Sequence, residues 1–275
     1  MPKTPKTIPA DQLITRLHEA FIALRLPVMA EQLKREVDEG PPEGDSRLGF
    51  LWRLVEPQWH RRQERTVERR IDEAAFPARK SLDGFDFAFQ PKLDKDRVLE
   101  LATLNFIRRG QNLILGGMSG TGKSHIAIAL GHLACAAGFR TRYTTSADML
   151  AKLHAALATG SLHEALKPYV RPDLLIIDEI GLDRAEKEQV ADAQLFYKVI
   201  KPRYEEPRSM IITSNIQWDA WGSYLGDDLA TVAILDRLIH QGYLITIDGP
   251  SYRAAEHSKL NARPAHGPAT RPTEG

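Results

Sequence analysis

The stretch Gly117-Met118-Ser119-Gly120-Thr121-Gly122-Lys123-Ser124 decides how the rest of the chain is read. It fits G-x-x-x-x-G-K-[ST], the pattern of a phosphate-binding loop. Glycines at 117, 120 and 122 permit positive φ and a close approach of backbone to ligand. Consecutive N–H groups then turn inward as an anion nest, and the following helix adds its positive end. In such a loop Lys123 reaches the β- and γ-phosphates, and the Ser124 hydroxyl faces Mg²⁺. Asn112–Leu115 predicts a buried strand before the loop. His125 to Ala137 predicts an apolar helix after it.

A second signal lies about fifty residues on. Leu174-Leu175-Ile176-Ile177-Asp178-Glu179 is an apolar run ending in two acids. Four apolar residues predict a strand buried on both faces, and ligands bind at the carboxyl ends of strands in open α/β sheets. Asp178 is placed to hold Mg²⁺, directly or through water, and Glu179 to orient and polarise an attacking water. A third apolar strand, Met210-Ile211-Ile212-Thr213-Ser214-Asn215, also ends in polar groups. Asn215 either touches the γ-phosphate or the lytic water, or joins Ser214 in capping the turn before Trp218. Further on, Ala233-Ile234-Leu235-Asp236-Arg237-Leu238-Ile239-His240 predicts an amphipathic helix. Arg237 either pairs within the chain or reaches a neighbour's ATP as an arginine finger.

Around these signals, residues 112 to 247 alternate short apolar strands with helices. The candidate strands are Asn112–Leu115, Arg140–Thr144, Leu174–Asp178, Met210–Ser214 and Leu244–Ile247. This alternation predicts a parallel, doubly wound α/β sheet. Ser161 and Glu164 have the spacing of a capping box. Ahead of the sheet the pattern is helical, with apolar stripes on residues 11–24 and 27–37 and a longer helix from about Ser46. Pro57 should kink or interrupt that helix. Beyond it the helix turns basic, through Arg61, Arg62, Arg65, Arg69 and Arg70. This run is either a solvated face or a contact for phosphates or a neighbouring subunit. Trp52 and Trp59 read as packing residues. Residues 80–90 read as a linker with Phe85, Phe87 and Phe89 in alternation, followed by a helix from about Lys92 to Arg108.

Net charge is only +1, so nucleic-acid binding must come from local patches. The helices expected over 149–169 offer one, with Lys152, His154, His163 and Lys167. The single cysteine, Cys135, excludes an intrachain disulfide and reads as a small core residue, which suits a reducing cytosol. No uncharged apolar run is long enough to span a bilayer, and the first residues have no secretory pattern, so a cytoplasmic protein without membrane partners is expected. The domains expected are a disordered start (1–10), a helical N-terminal domain (11–78), an ATPase domain with its linker (79–253) and a disordered tail (254–275).

In combination these motifs resemble the IstB-like branch of AAA+ ATPases, transposition helpers related to the helicase loader DnaC and the initiator DnaA. The residues that carry the resemblance are the P-loop followed by His125, the strand ending Asp178-Glu179, Ile-Thr-Ser-Asn at 212–215, Leu-Asp-Arg-Leu-Ile-His at 235–240 and Ser-Tyr-Arg at 251–253. Arg203-Tyr204-Glu205, Leu26-Pro27-Val28-Met29-Ala30 and Ala74-Ala75-Phe76-Pro77 extend it over roughly residues 11 to 253. The resemblance implies a P-loop NTPase of AAA+ type with an α-helical N-terminal domain. It implies Walker A residues Gly117 to Ser124 with His125, Walker B residues Asp178 and Glu179, and Asn215 as sensor 1. Arg237 is then the candidate finger, Arg203 a second one, and Arg253 lies where a sensor-2 role is sought, though without an obvious helical lid after it. The function implied is ATP hydrolysis with Mg²⁺, binding of double-stranded DNA, assembly of a homo-oligomer with ATP and DNA, and target selection for an IstA-like transposase. A DnaC-like helicase loader and an ATP-assembled scaffold with negligible turnover are the alternatives.

Overall fold

The computed structural model describes residues 8–40, 42, 44–181, 192–240 and 242–261. Two compact units divide the chain, Met1–Arg69 and Arg70–Gly275. The boundary falls inside a helix, ahead of the expected one at 78/79.

The first unit is helical. It holds α1 (Ala10–Ala23), α2 (Pro27–Glu39) and most of α3 (Arg47–Ala74). Pro27 sits in the first turn of α2, where its missing N–H goes unneeded, and Gly40 ends that helix at φ +69°. Val28, Ala30 and Leu33 of α2 are buried, as is Leu54 of α3. The Val28 N–H donates to Gln58 Oε1 at 3.0 Å, and Arg53 pairs with Glu36 at 2.7 Å. Of the kink or interruption expected at Pro57, the interruption does not occur: α3 is continuous through it, with these contacts made from both sides. Trp52 and Trp59 are not packing residues of this unit: they are 53% and 48% exposed.

The second unit begins in the last turn of α3 and continues through α4 (Lys95–Ala102), α5 (Asn105–Arg108), β1 (Asn112–Gly117), α6 (Lys123–Ala136) and β2 (Thr141–Thr145). Next come α7 (Ser146–Ala158), α8 (Leu162–Val170), β3 (Leu174–Ile180), α9 (Asp192–Glu205) and β4 (Ser209–Ser214). A 3₁₀ turn (Trp218–Ala220), α10 (Trp221–Leu225), α11 (Asp228–His240), β5 (Gly242–Ile247) and α12 (Tyr252–Asn261) complete it. The strands are parallel, in the order β2-β3-β4-β1-β5. All five expected strands form. Alternate residues of β3 feed opposite layers: Leu175 and Ile177 join Met149, Phe196 and Trp221, whereas Leu174 and Ile176 join Val98, Ile126 and Leu130. The sheet is thus covered on both faces, and its polar strand ends collect along one edge. Cys135 is buried, as expected.

Three local expectations are corrected. The helix expected over 92–108 breaks at Leu104, which takes φ +60° so that its side chain is buried. The capping box does not form: the Ser161 hydroxyl bonds Thr159 Oγ1 at 2.8 Å, and Glu164 pairs with Lys167. The tail expected from 254 is helical as far as Asn261, because α12 is docked: the Tyr252 N–H donates to the Gly120 carbonyl at 2.9 Å and its ring meets Phe89 edge-on at 5.2 Å. Residues 262–275 and 1–7 lie outside the described residues.

Arg203 is the largest charged group in the core, 1% exposed. Its guanidinium donates to the carbonyls of Tyr169, Val170 and Pro172 at 2.9–3.1 Å and to that of Ser209 at 2.6 Å. It is a structural clamp for the start of β3 and β4, and the reading of it as a finger toward another subunit is withdrawn. Arg203→Met should lower stability by about 3–5 kcal/mol, because those buried carbonyls lose their donors. Urea unfolding of parent and variant measures it; an unchanged midpoint contradicts the clamp.

Candidate nucleotide site

The loop between β1 and α6 has the geometry its glycines permit. Gly117, Gly120 and Gly122 take φ of +138°, +82° and +100°. The loop is also hemmed in from three sides. A Cβ at Gly117 would lie 2.4 Å from the Ile247 carbonyl, one at Gly120 2.0 Å from Ser251 Oγ, and one at Gly122 2.5 Å from the Phe85 ring. Thr121 Oγ1 donates to the Met118 carbonyl at 2.9 Å. Lys123 folds back into its own loop, donating to the carbonyls of Gly117 at 2.7 Å and Met118 at 2.8 Å. Burial pushes its pKa down to about 8, although Asp178 pulls the other way. His125 does not point freely at the loop. Its Nε2 bonds the Ser81 carbonyl at 2.8 Å and its ring meets Phe85 edge-on, which ties the linker to the start of α6.

A cavity of about 880 Å³ opens over this loop. Lys123, Ser124, Asp178, Glu179, Asn215 and Arg253 line it together. Asp178, 1% exposed, is its chemical centre. One carboxylate oxygen accepts from Ser124 Oγ at 2.9 Å and from the Thr213 hydroxyl; the other accepts from the Tyr143 hydroxyl at 2.7 Å. Burial and the Asp178 charge together push the Tyr143 phenol well above its usual range, so it stays a donor. Glu179 turns the other way at φ +66°, in an irregular step between β3 and β4. Such a backbone costs about 1–3 kcal/mol and persists where surroundings impose it, most often at functional sites. The Ser124 hydroxyl and Asp178 carboxylate are adjacent hard oxygen donors. That donor set fits Mg²⁺, which takes one or two protein oxygens and completes its shell with water and phosphate.

Asn215 follows β4 directly. Its N–H donates to the Ile180 carbonyl at 3.0 Å, and the residue lines the cavity. The capping role falls to Ser214, whose hydroxyl accepts from Ile216 N–H and Trp221 Nε1. Arg253, in the first turn of α12, donates to Ser119 Oγ at 3.1 Å, so the Ser-Tyr-Arg motif runs into a helix that touches the loop. Arg237 stands apart. It donates to the Ala233 carbonyl at 2.7 Å, packs over the rings of Tyr197 and Tyr204, and does not line this cavity.

Sequence reasoning missed Tyr143 and Thr213. A lone tyrosine in the polar strand Thr141–Thr145, and a threonine two residues before Asn215, were the available signals. Of the residues considered for DNA on α7 and α8, His154 pairs with Asp192 at 2.5 Å and Lys167 with Glu164, whereas Lys152 and His163 are exposed. On α3, Arg61, Arg62, Arg65 and Arg69 are exposed.

A parallel sheet with this order, a glycine loop between β1 and α6, and paired acids at the end of β3 define a P-loop nucleotide-binding protein of the AAA+ type. More narrowly, the chain belongs to the family of IstB-like ATP-binding proteins, whose model matches residues 20–260. It is 40% identical over 250 residues to an ATP-binding protein of insertion sequence IS21 from Pseudomonas aeruginosa, covering 90% of each chain. It is 37% identical over 241 residues to one of insertion sequence IS5376 from Geobacillus stearothermophilus, covering 88% of this chain and 94% of that one. Its fold is shared with a DNA replication initiation factor (TM-score 0.52, 21% identity, 66% of this chain and 54% of that one) and with DnaI (TM-score 0.51, 19% identity, 62% and 91%). Among the described residues no helix is long and apolar enough to cross a membrane.

The Lys123 environment gives a pH signature. Between pH about 8 and 10.5 the unfolded chain keeps this lysine protonated while the folded protein releases the proton. The unfolded state then binds more protons, so stability rises with pH across that window. In nucleotide-free protein the stability difference between parent and Lys123→Met should shift in favour of the parent from pH 8 to 10. Denaturant midpoints at several pH values measure it, and a pH-independent difference contradicts the assignment.

Proposed function

We propose that this protein is a Mg²⁺-dependent ATPase that assembles as a homo-oligomer on double-stranded DNA and serves a partner transposase, IstA-like, in selecting target DNA. Membership of the IstB-like family and relatives from insertion sequences support the transposition role. The convergence of Lys123, Ser124, Asp178, Glu179 and Asn215 on one cavity carries the ATPase reading. In it the loop N–H groups Gly117 to Ser124 cradle the phosphates, and Lys123 exchanges its two loop carbonyls for β- and γ-oxygens. Ser124 and Asp178 hold Mg²⁺, which when bound neutralises charge building on those oxygens. Glu179 orients the attacking water and draws on its proton. Asn215 hydrogen-bonds the γ-phosphate or that water.

Arg237 lies off its own cavity, which favours service to a neighbour's site in an oligomer. Exposed arginines along α3 and Lys152 on α7 supply the local positive charge that a nearly neutral chain needs for DNA phosphates. Several weak contacts per subunit become tight only when subunits assemble, so DNA retention follows the nucleotide state.

Glu179→Gln should keep ATP affinity within about threefold and lower turnover about 100-fold or more. Its DNA retention should then persist in ATP and fall in ADP. A parent protein that retains DNA equally poorly with ATP and ADP contradicts the DNA-coupled reading. Co-purification with a hexameric helicase instead of a transposase favours the loader alternative, and a parent with no turnover that Glu179→Gln leaves unaltered favours the scaffold. For Arg237, mixing equal parts of the inactive variants Arg237→Ala and Lys123→Ala should recover up to about a quarter of parent turnover, the share of shared sites with both groups intact. No recovery on mixing removes the in-trans role.

A further inference from the structure

Strands β3 and β4 pair regularly as far as Ile177 against Ile212, then resume at Ile180 against Ser214. Asp178 and Glu179 therefore face a single residue, Thr213, in the manner of a bulge. The bulge turns Glu179 to φ +66° and takes its N–H out of the ladder. That N–H donates to Thr213 Oγ1 at 2.9 Å. The Thr213 hydroxyl has one proton, and it goes to the Asp178 carboxylate oxygen that also accepts from Ser124. The side chain is 1% exposed, so water does not substitute for either bond. One residue further on than Ser214, the Asn215 N–H holds the Ile180 carbonyl and closes the far side of the same bulge.

We propose that Thr213 is a positioning residue that couples the two acids, because its hydroxyl donates to the metal-side carboxylate of Asp178 while accepting the backbone N–H of Glu179. This rests on the ATPase reading of the site. Any rotation of the Asp178 carboxylate, as when Ser124 and Asp178 take up a cation between them, pulls on the Thr213 hydroxyl and through it on the backbone that aims Glu179. β-branching limits Thr213 to few rotamers, so the pull is transmitted instead of being absorbed. Metal engagement on one side of the strand end and water placement on the other thus become one event. Lys123 and the loop N–H groups are untouched by this link, so phosphate binding without metal does not depend on it.

The test compares Thr213→Val, which keeps the shape and removes the hydroxyl, with Thr213→Ser, which keeps the hydroxyl. In chelator, binding of a fluorescent ATP analogue should stay within about threefold of parent for both variants. In Thr213→Val, the Mg²⁺ concentration giving half-maximal tightening should rise about tenfold, kcat should fall about 100-fold, and KM should stay within about threefold. Exchange of the Glu179 amide hydrogen in nucleotide-free protein, read by NMR, should quicken about tenfold or more in Thr213→Val and return toward parent in Thr213→Ser. Parent-like Mg²⁺ dependence and parent-like Glu179 exchange in Thr213→Val overturn the proposal. A parent that binds ATP but does not hydrolyse it sinks the ATPase reading instead, while the exchange and Mg²⁺ measurements still decide Thr213. Should Thr213→Val fail to fold, Thr213→Ala takes its place with the same readouts.

Discussion

Everything at this site turns on satisfying one carboxylate in the interior. Asp178 sits at the end of a strand buried on both faces and holds its position through three hydroxyls, from Ser124, Thr213 and Tyr143. An unpaired buried carboxylate would be far more costly than any local strain, so these donors are requirements of the fold as much as of the chemistry. Each comes from a different element: the first turn of α6, β4 and β2. The carboxylate therefore registers three elements against β3 at the edge where ligand is met. A phosphate loop by itself needs only a strand, a turn and a helix. Coupling it to two acids needs the neighbouring strands in fixed register, and the hydroxyl bonds supply that.

Burial of the sheet on both sides gives this register its rigidity. Residues of β1, β3 and β4 are almost wholly inaccessible, and the two apolar layers they separate contain most of the core of the second unit. The polar tips of the same strands stand outside these layers, and there the backbone departs from regular strand geometry. Glu179 and the loop glycines hold positive φ within a few residues of regular strand. Rigid layers make such departures tolerable, since a close-packed interior gives little room to relax them. Arg203 does comparable work at the other end of β3 and β4, by binding the carbonyls where those strands begin.

The strands, the loop and the acids were legible because each is a local pattern: an apolar run with polar residues at its end, or glycines at fixed spacing. Asn215 could not be separated from Ser214 by pattern, since either can cap a turn; Trp221 settles it by reaching the Ser214 hydroxyl from α10. Tyr143 and Thr213 were invisible because their significance lies in which strands become neighbours. The order β2-β3-β4-β1-β5 places both beside Asp178, and the local sequence signals of each, a lone tyrosine and a threonine near Asn215, do not say which strands become neighbours. Pro57 does not interrupt α3 for a related reason, as a single-residue penalty was outweighed by contacts of Arg53, Leu54 and Gln58. The helix α12 looked like tail because its composition is polar, and it is held by backbone and ring contacts that composition does not reveal.

The folded-back Lys123 has one more consequence. Two of its three N–H donors are directed at the carbonyls of Gly117 and Met118, so the loop holds most of its own cation's donors internally. Full engagement of a nucleotide thus exchanges carbonyl partners for phosphate oxygens at that ammonium. A monoanion or a lone orthophosphate must displace two carbonyl partners while offering little else, whereas a polyphosphate chain replaces them and also fills the amide nest along the loop. The charge and length of an anion together therefore decide how well it exchanges for those carbonyls.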